Sequence, residues 1–177
     1  MKKTPFLLAI MLTSSLLVTA CNRGSSDNPA DSGGGTATGS GTMSATVDGQ
    51  SWTATSGTVF ATYSTNTLTV IGSQVQGTSA STFNITINNV TGTGEFRLGF
   101  PGVGGAQGIA GYGIGTSAGS NAQAWVTTNT ETGTVNITRF DTQNKIVAGT
   151  FSFRCRSTNA TPEIRNITNG RFEARWQ

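Results

Sequence analysis

The strongest constraint on the fold of this chain is a regular alternation of apolar and polar residues. Phe83, Ile85 and Ile87 share one face of an extended segment, as do Phe151 and Phe153 further along. A period of two residues is typical of a strand with one buried face, and no window of useful length has the period of an α-helix. The pattern predicts an all-β fold, either an antiparallel β-sandwich or a lipocalin-like barrel.

The composition supports this fold and narrows the chemistry. Only 11% of the 177 residues are charged, 24 are glycine, and there is no histidine. Chains rich in threonine and glycine and poor in charge are usually all-β. Without histidine, catalysis by a histidine base is excluded and the commonest zinc ligand is missing. We therefore expect no metal ion and no other cofactor.

The first twenty residues are expected to be a processing signal and not part of the fold. Lys2 and Lys3 precede an apolar stretch over residues 6–18. That stretch is shorter than the ~20 apolar residues that a membrane-spanning helix needs. A positive start followed by a short apolar stretch is typical of a secretory signal peptide.

The residues that end this stretch carry a resemblance. Val18, Thr19 and Ala20 lead directly to Cys21, and this arrangement resembles the lipobox of bacterial lipoprotein precursors. The resemblance implies that the Cys21 thiol carries a diacylglyceryl group, that the chain is cleaved before Cys21, and that the new amino group is acylated. Two or more acyl chains anchor a protein stably in a membrane.

The residues after Cys21 indicate where such an anchor would lie. Asn22, where an aspartate would retain lipoproteins in the inner membrane of enteric bacteria, favours the outer membrane. Residues 22–27 are only weakly acidic, which favours the periplasmic face, with display on the cell surface as the alternative. Residues 21–42 are rich in Gly and Ser, so we expect the lipidated cysteine to be followed by a flexible, disordered tether.

Residues 43–177 are expected to form one domain, because their number suits a single hydrophobic core. Once residues 1–20 are removed, nine basic and eight acidic residues remain. This balance gives no indication of nucleic-acid binding. Cys155 is then the only free thiol, and the alternation places it on the buried face with Phe153, where a cysteine is inert.

The C-terminal part of the domain resembles a group of proteins. Its runs over residues 133–141, 144–153 and 167–172 are similar to those of small β-rich lipoproteins of unknown function, common in Bacteroidota and related Gram-negative bacteria. The shared motifs are structural, so the resemblance implies no catalytic residues. Within the last run, Asn169-Gly170 is either a hairpin turn or a bulge with Gly170 at positive φ, and the long preceding strand favours the bulge.

Two pairs of residues are candidates for a binding site. Arg154 and Arg156 would share the outward face of one strand, as a patch for an acidic glycan or a lipid headgroup or as an ordinary solvated face. Phe100 and Tyr112 lie in a stretch over residues 99–119 that contains nine glycines. This stretch is either a mobile binding loop or a pair of thin strands.

Two motifs fail on inspection. Gly115-Thr116-Ser117-Ala118-Gly119 matches the nucleophile elbow of hydrolases, but that elbow needs a strand-to-helix turn and a histidine base. Twelve-residue counting from Asp141 ends on Ser152 and not on glutamate, so there is no calcium-binding loop of the EF-hand type.

The sequence therefore favours an envelope lipoprotein whose β-domain is not an enzyme and takes part in structural or protein interaction. A carrier of a small hydrophobic ligand, held in a lipocalin-like cavity, is the alternative. A glycan-active enzyme that uses carboxylates alone is the weaker alternative. The first two differ inside the domain, because a carrier needs a cavity and an interaction domain needs a filled core.

Overall fold

The computed structural model describes residues 38–116, 122–159 and 161–177. The described residues form eleven strands and no helix, which confirms the all-β prediction: β1 (Thr42–Val47), β2 (Gln50–Thr53), β3 (Phe60–Ser64), β4 (Thr67–Gln76), β5 (Ser79–Ile87), β6 (Gly94–Leu98), β7 (Gly108–Thr116), β8 (Gln123–Val126), β9 (Gly133–Asp141), β10 (Ile146–Ser157) and β11 (Ile164–Arg175). Cys21, the signal peptide and most of the expected tether lie outside the described residues.

Tight turns join the first strands where the sequence has residues that tolerate positive φ. Asp48 and Gly49 have φ values of 48° and 85° between β1 and β2, and Thr65 and Asn66 have values of 50° and 60° between β3 and β4. Two successive positive φ values define a type I′ turn, whose twist matches that of the paired strands. Asp-Gly is a dipeptide that favours such a turn.

All eleven strands belong to one sheet, in which ten follow the order β2-β1-β11-β10-β9-β6-β7-β5-β4-β3 and β8 lies off this path. Every pairing is antiparallel except for one parallel contact between β6 and β7. The β3 end of the sheet contacts the strands near the other end, because Ala61 in β3 forms a parallel bridge with Trp176 just after β11. In addition, the Thr55 amide, just after β2, donates to the Ser73 carbonyl in β4 at 2.8 Å. The sheet is therefore closed in the manner of a barrel.

Two short strands complete the wall between β7 and the C-terminal strands. β6 pairs with β9 and contacts β7 through Leu98 and Gly108. β8 pairs with both β7 and β10. β6 therefore connects β7 to β9, and β8 connects β7 to β10.

β11 is one long strand with a bulge, as favoured by the length of its partner. Phe151 pairs with Gly170 and Phe153 pairs with Ile167, so Ser152 faces two residues of β11. The positive φ, 53°, belongs to Asn169 and not to Gly170 as expected. Gly170 is needed for space, because a Cβ atom there would lie 2.4 Å from the Phe151 ring.

The interior of the closed sheet is occupied by aromatic rings. The Phe83 ring is fully buried, and its centroid lies 4.6 Å from that of Trp52 and 4.9 Å from that of Tyr112. The rings of Phe151 and Phe153 follow at 5.7 and 6.1 Å. Such spacings correspond to direct packing of aromatic rings, so the predicted inward face of β10 contributes to the same core as that of β5.

The domain begins slightly earlier than the expected boundary at residue 43. Thr42 is already part of β1. The backbone amides of Thr38, Gly39 and Ser40 all donate to one carboxylate oxygen of Glu173, at 2.7, 2.6 and 3.1 Å. The last residues assigned to the tether are therefore bound to β11.

Candidate ligand-binding face

The charged residues of the strands are confined to four neighbours in the sheet. β1 to β5, β7 and β8 carry no Asp, Glu, Lys or Arg at all. β6, β9, β10 and β11 are adjacent and hold seven arginines and three acidic residues: Glu95, Arg97, Arg139, Asp141, Arg154, Arg156, Arg165, Arg171, Glu173 and Arg175. One side of the domain is therefore basic although the whole domain is nearly neutral.

A groove of about 470 Å³ crosses this side over β6, β9, β10 and β11. Arg97 and Arg154 line it, together with the polar residues Thr132, Thr134, Ser152, Asn166 and Thr168. Both arginines are exposed, because they alternate with buried residues of their strands. Within the described residues, neither guanidinium forms an ion pair or a side-chain hydrogen bond.

Strand pairing determines which side chains line this groove. Arg97 of β6 lies beside Thr134 of β9, and Thr134 lies beside Ser152 of β10. Gly133 lies in the floor, where a Cβ atom would be only 2.2 Å from the Ser152 carbonyl oxygen. β9 and β10 can approach this closely only because residue 133 has no side chain.

The predicted pair Arg154 and Arg156 does share the outward face of β10, but the two differ in their partners. Arg156 donates from Nη2 to Glu131 Oε1 at 2.7 Å and from Nε to Oε2 at 3.0 Å. Thr128 and Thr130 donate to the same carboxylate. Arg156 and these hydroxyls hold the pKa of Glu131 far below its usual range. Arg156 therefore ties the loop before β9 to β10, whereas Arg154 faces the groove.

Phe100 and Tyr112 lie in different environments, the first exposed to solvent and the second buried. β6 ends at Leu98, and Phe100 is 58% exposed in a turn before β7. Tyr112 lies in β7 and is only 7% exposed, with its ring in the core. As far as residue 116, where the described part of the glycine-rich stretch ends, it is a turn followed by one strand, and Tyr112 is not on a loop.

A second cluster lies where β8, β10 and β11 meet. The Arg165 guanidinium lies 4.8 Å from the centre of the Trp125 ring and donates to Asp48 Oδ2 at 2.9 Å. Trp125 Nε1 and Arg165 Nε are both buried, and neither has a hydrogen-bond partner among the described residues. Burial raises the pKa of the adjacent Cys155 thiol to about 12, which agrees with an inert cysteine.

Neither a metal-binding cluster nor a membrane-spanning helix is found among the described residues. No group of three or more Cys, Asp or Glu side chains that could hold a metal ion occurs in the described parts of the chain. Over the same residues, no helix is long and apolar enough to cross a membrane. Ser117 of the elbow-like motif and Cys21 both lie outside the described residues.

Sequence reasoning missed Arg97 as a member of the site. The alternation of Phe96, Arg97 and Leu98 places the arginine outward. No local pattern reveals that β6 pairs with β9, because that contact joins segments about forty positions apart. The sequence therefore indicates that Arg97 points outward, but it does not indicate that Arg97 lies beside Thr134 of β9.

Comparison with known proteins gives a family and no activity. No curated protein and no solved structure matches the chain. One family model matches residues 39–174, which is most of the chain and nearly the whole described domain. The chain belongs to the family described as a domain of unknown function, DUF6252.

Proposed function

We propose that this protein is an envelope lipoprotein, anchored in the outer membrane through Cys21, whose β-domain is not an enzyme and acts by binding another envelope component. The observation that carries the proposal is a filled interior combined with an open basic face. Phe83 and its four aromatic neighbours occupy the inside. Arg97 and Arg154 are directed outward with no ion-pair partner among the described residues.

The filled interior favours interaction over the carriage of a ligand. A lipocalin-like carrier encloses its ligand in a cavity lined by inward-facing side chains. Here the corresponding positions on β5, β7 and β10 hold rings whose centroids are 4.9 to 6.1 Å apart. A partner that meets the outer face needs no such cavity.

The state of the carboxylates favours a role without catalysis. Burial alone would raise the pKa of Asp48, but hydrogen bonds from Asn166 and Arg165 lower it overall. The pKa values of Glu131 and Asp141 are lowered by Arg156 and by Asn144, respectively. A glycosidase needs one carboxyl group with a raised pKa to act as the general acid, and these three groups are shifted in the opposite direction.

Metabolic labelling tests the anchor directly. Cells of the native host that express the protein are grown with radiolabelled palmitate, and they should yield a labelled protein in the membrane fraction. Cys21→Ser should be unlabelled and released from the membrane. Cys155→Ala is the matched control, because this thiol is buried, and it should keep both label and location. Label that persists in Cys21→Ser would refute the anchor, and protease treatment of intact cells would distinguish the periplasmic face from the cell surface.

Native mass spectrometry tests interaction against carriage. The protein purified in detergent from the envelope should give the mass of the lipidated polypeptide alone. A further mass that is released on denaturation, and that matches a small lipid or metabolite, would instead support the carrier.

A further inference from the structure

We propose that the groove lined by Arg97 and Arg154 binds an acidic, hydroxyl-rich saccharide. This proposal rests on the proposed function and specifies the chemical class of the partner. Apart from Gly133 and the buried Phe153 and Ile167, the residues that line the groove supply two kinds of group: the guanidinium ions of Arg97 and Arg154, and small polar side chains on β9, β10 and β11 and just before β9. An acidic saccharide carries the complementary groups, a carboxylate or phosphate on a body covered with hydroxyls.

The two arginines account for the negative charge of the ligand. A guanidinium presents a planar fork of N–H donors that matches a carboxylate or phosphate in two parallel hydrogen bonds. Arg156, on the same strand as Arg154, already makes such a contact with Glu131. Arg97 and Arg154 have no carboxylate partner within the described residues, so their forks are available to a ligand.

The small polar residues account for the hydroxyl groups of the ligand. The side-chain hydroxyls of Thr134, Ser152 and Thr168 line the groove and form no hydrogen bond with other described residues. Each can both donate and accept. A volume of about 470 Å³ lies within the range of sites for small molecules, and is suited to one or two sugar units.

The surroundings argue for a saccharide and against a bilayer surface. The described large apolar residues that are most exposed, Phe60, Val75, Phe100 and Val103, do not line the groove. A surface that docks on lipid places apolar side chains next to its basic residues so that they enter the acyl region. The paired strands also fix the backbone positions from which both arginines project, so no backbone segment has to be ordered when the ligand binds.

Calorimetric titration of the detergent-purified full chain at low salt tests the proposal with three probes. An oligogalacturonate supplies carboxylates and hydroxyls, a malto-oligosaccharide of equal length supplies hydroxyls alone, and glycerol 1-phosphate stands for a lipid headgroup. We expect binding of the oligogalacturonate, none of the neutral oligosaccharide, and weaker binding of glycerol 1-phosphate. Added salt should weaken the interaction because the arginines are exposed.

Paired variants locate the site. Arg97→Gln with Arg154→Gln should weaken oligogalacturonate binding by about tenfold or more, since two charge-assisted contacts are lost. Arg97→Lys with Arg154→Lys keeps the charge but loses the planar fork, so its affinity should be intermediate. Lys145→Gln with Arg175→Gln removes the same charge near the turn between β9 and β10, outside the groove, and should change the affinity by less than about twofold.

Three results would overturn the saccharide assignment: equal affinity for the neutral oligosaccharide, tighter binding of glycerol 1-phosphate, or equal losses in the Arg97–Arg154 and Lys145–Arg175 variants. Circular dichroism of each variant verifies folding, which exposed substitutions should preserve. The outcome is separate from the anchoring test, because loss of lipid at Cys21 leaves the groove intact and an empty groove leaves the palmitate label unchanged.

Discussion

The two sides of the closed sheet are stabilised by different forces. On the side of β3, β4, β5, β7 and β8, which has no charged residue, hydroxyl pairs such as Thr69–Thr86 at 3.1 Å and Ser73–Thr82 at 2.8 Å join neighbouring strands. On the side of β6, β9, β10 and β11, Arg156 of β10 pairs with Glu131 in the loop before β9, and Gly133 and Gly149 permit the close approach of β9 and β10. The charged groups of the strands are thus concentrated on one side of a continuous sheet.

The largest effect is expected where the two sides share one core. Phe83→Ala removes the ring that contacts aromatic side chains of both sides, and should lower the free energy of unfolding by ~3–5 kcal/mol, as for other buried aromatic residues. Urea denaturation measures this. Phe60→Ala, at an exposed phenylalanine of the same side, should change stability little. Equal losses in both variants would mean that Phe83 is not central to the core.

The next largest effect on stability is expected from replacing a glycine on the charged side, compared with one on the uncharged side. Gly133→Ala places a Cβ atom 2.2 Å from a backbone oxygen of β10, and the strands must move apart at a cost of ~1–3 kcal/mol. Gly115→Ala on the uncharged side has open space around the new atom, so its stability should equal or exceed that of the wild type. Thermal unfolding followed by circular dichroism compares them, and a stable Gly133→Ala would contradict the close approach of β9 and β10.

A pH-dependent effect is expected from the charged side alone. The pKa of Glu131 is lower in the folded state than its ordinary value of 4.5, mainly because of Arg156. The ionised form is therefore favoured by folding, so its contribution is complete above about pH 5 and is lost as the pH falls toward the folded pKa.

Urea midpoints measured at pH 7, 5 and 3 should thus decrease less steeply with acidity in Glu131→Gln than in the wild type. Glu95→Gln is the control, because it removes the same charge from a side chain that makes no ion pair with the described residues. A slope that is identical in wild type and Glu131→Gln would show that this contact does not contribute to acid sensitivity.

The smallest effect is expected for one hydroxyl pair on the uncharged side. Thr69→Val removes the hydrogen bond with Thr86 but keeps a β-branched side chain, and should cost ~0.2–1 kcal/mol. Because neither residue is charged, the loss should be equal at pH 7 and pH 4 in urea denaturation. A loss that grows with acidity would mean that the two sides do not respond independently.

The alternation of residues predicted most strands and their buried faces, because each strand meets water on one side and the core on the other. It was least informative for β7. There Gly111, Gly113 and Gly115 occupy outward positions, so no polar side chains mark the exposed face. Without that contrast, the sequence could not distinguish a strand from a loop, and both interpretations stayed open for the stretch that contains Tyr112.

The candidate site was predictable in part. The outward direction of Arg154 follows from its neighbours Phe153 and Cys155 in sequence. The partner of Arg156 could not be foreseen, because Glu131 reaches it only once the loop before β9 has folded back on β10. Arg97 and the Glu173 contact with Thr38–Ser40 likewise depend on pairing between distant strands, which single-sequence patterns do not encode.

The closure of the sheet has a consequence for how the chain reaches its folded state. β1 forms a hairpin with β2, but its other edge is completed only by β11. β3 pairs with β4 on one edge, and its other edge is bridged to Trp176, after β11. Pairings between such distant segments make folding slow, because a long loop must be ordered before any contact forms. During synthesis, the early strands would present unpaired edges to their surroundings until the last strand emerges, and this interval is when the protein is most exposed to aggregation.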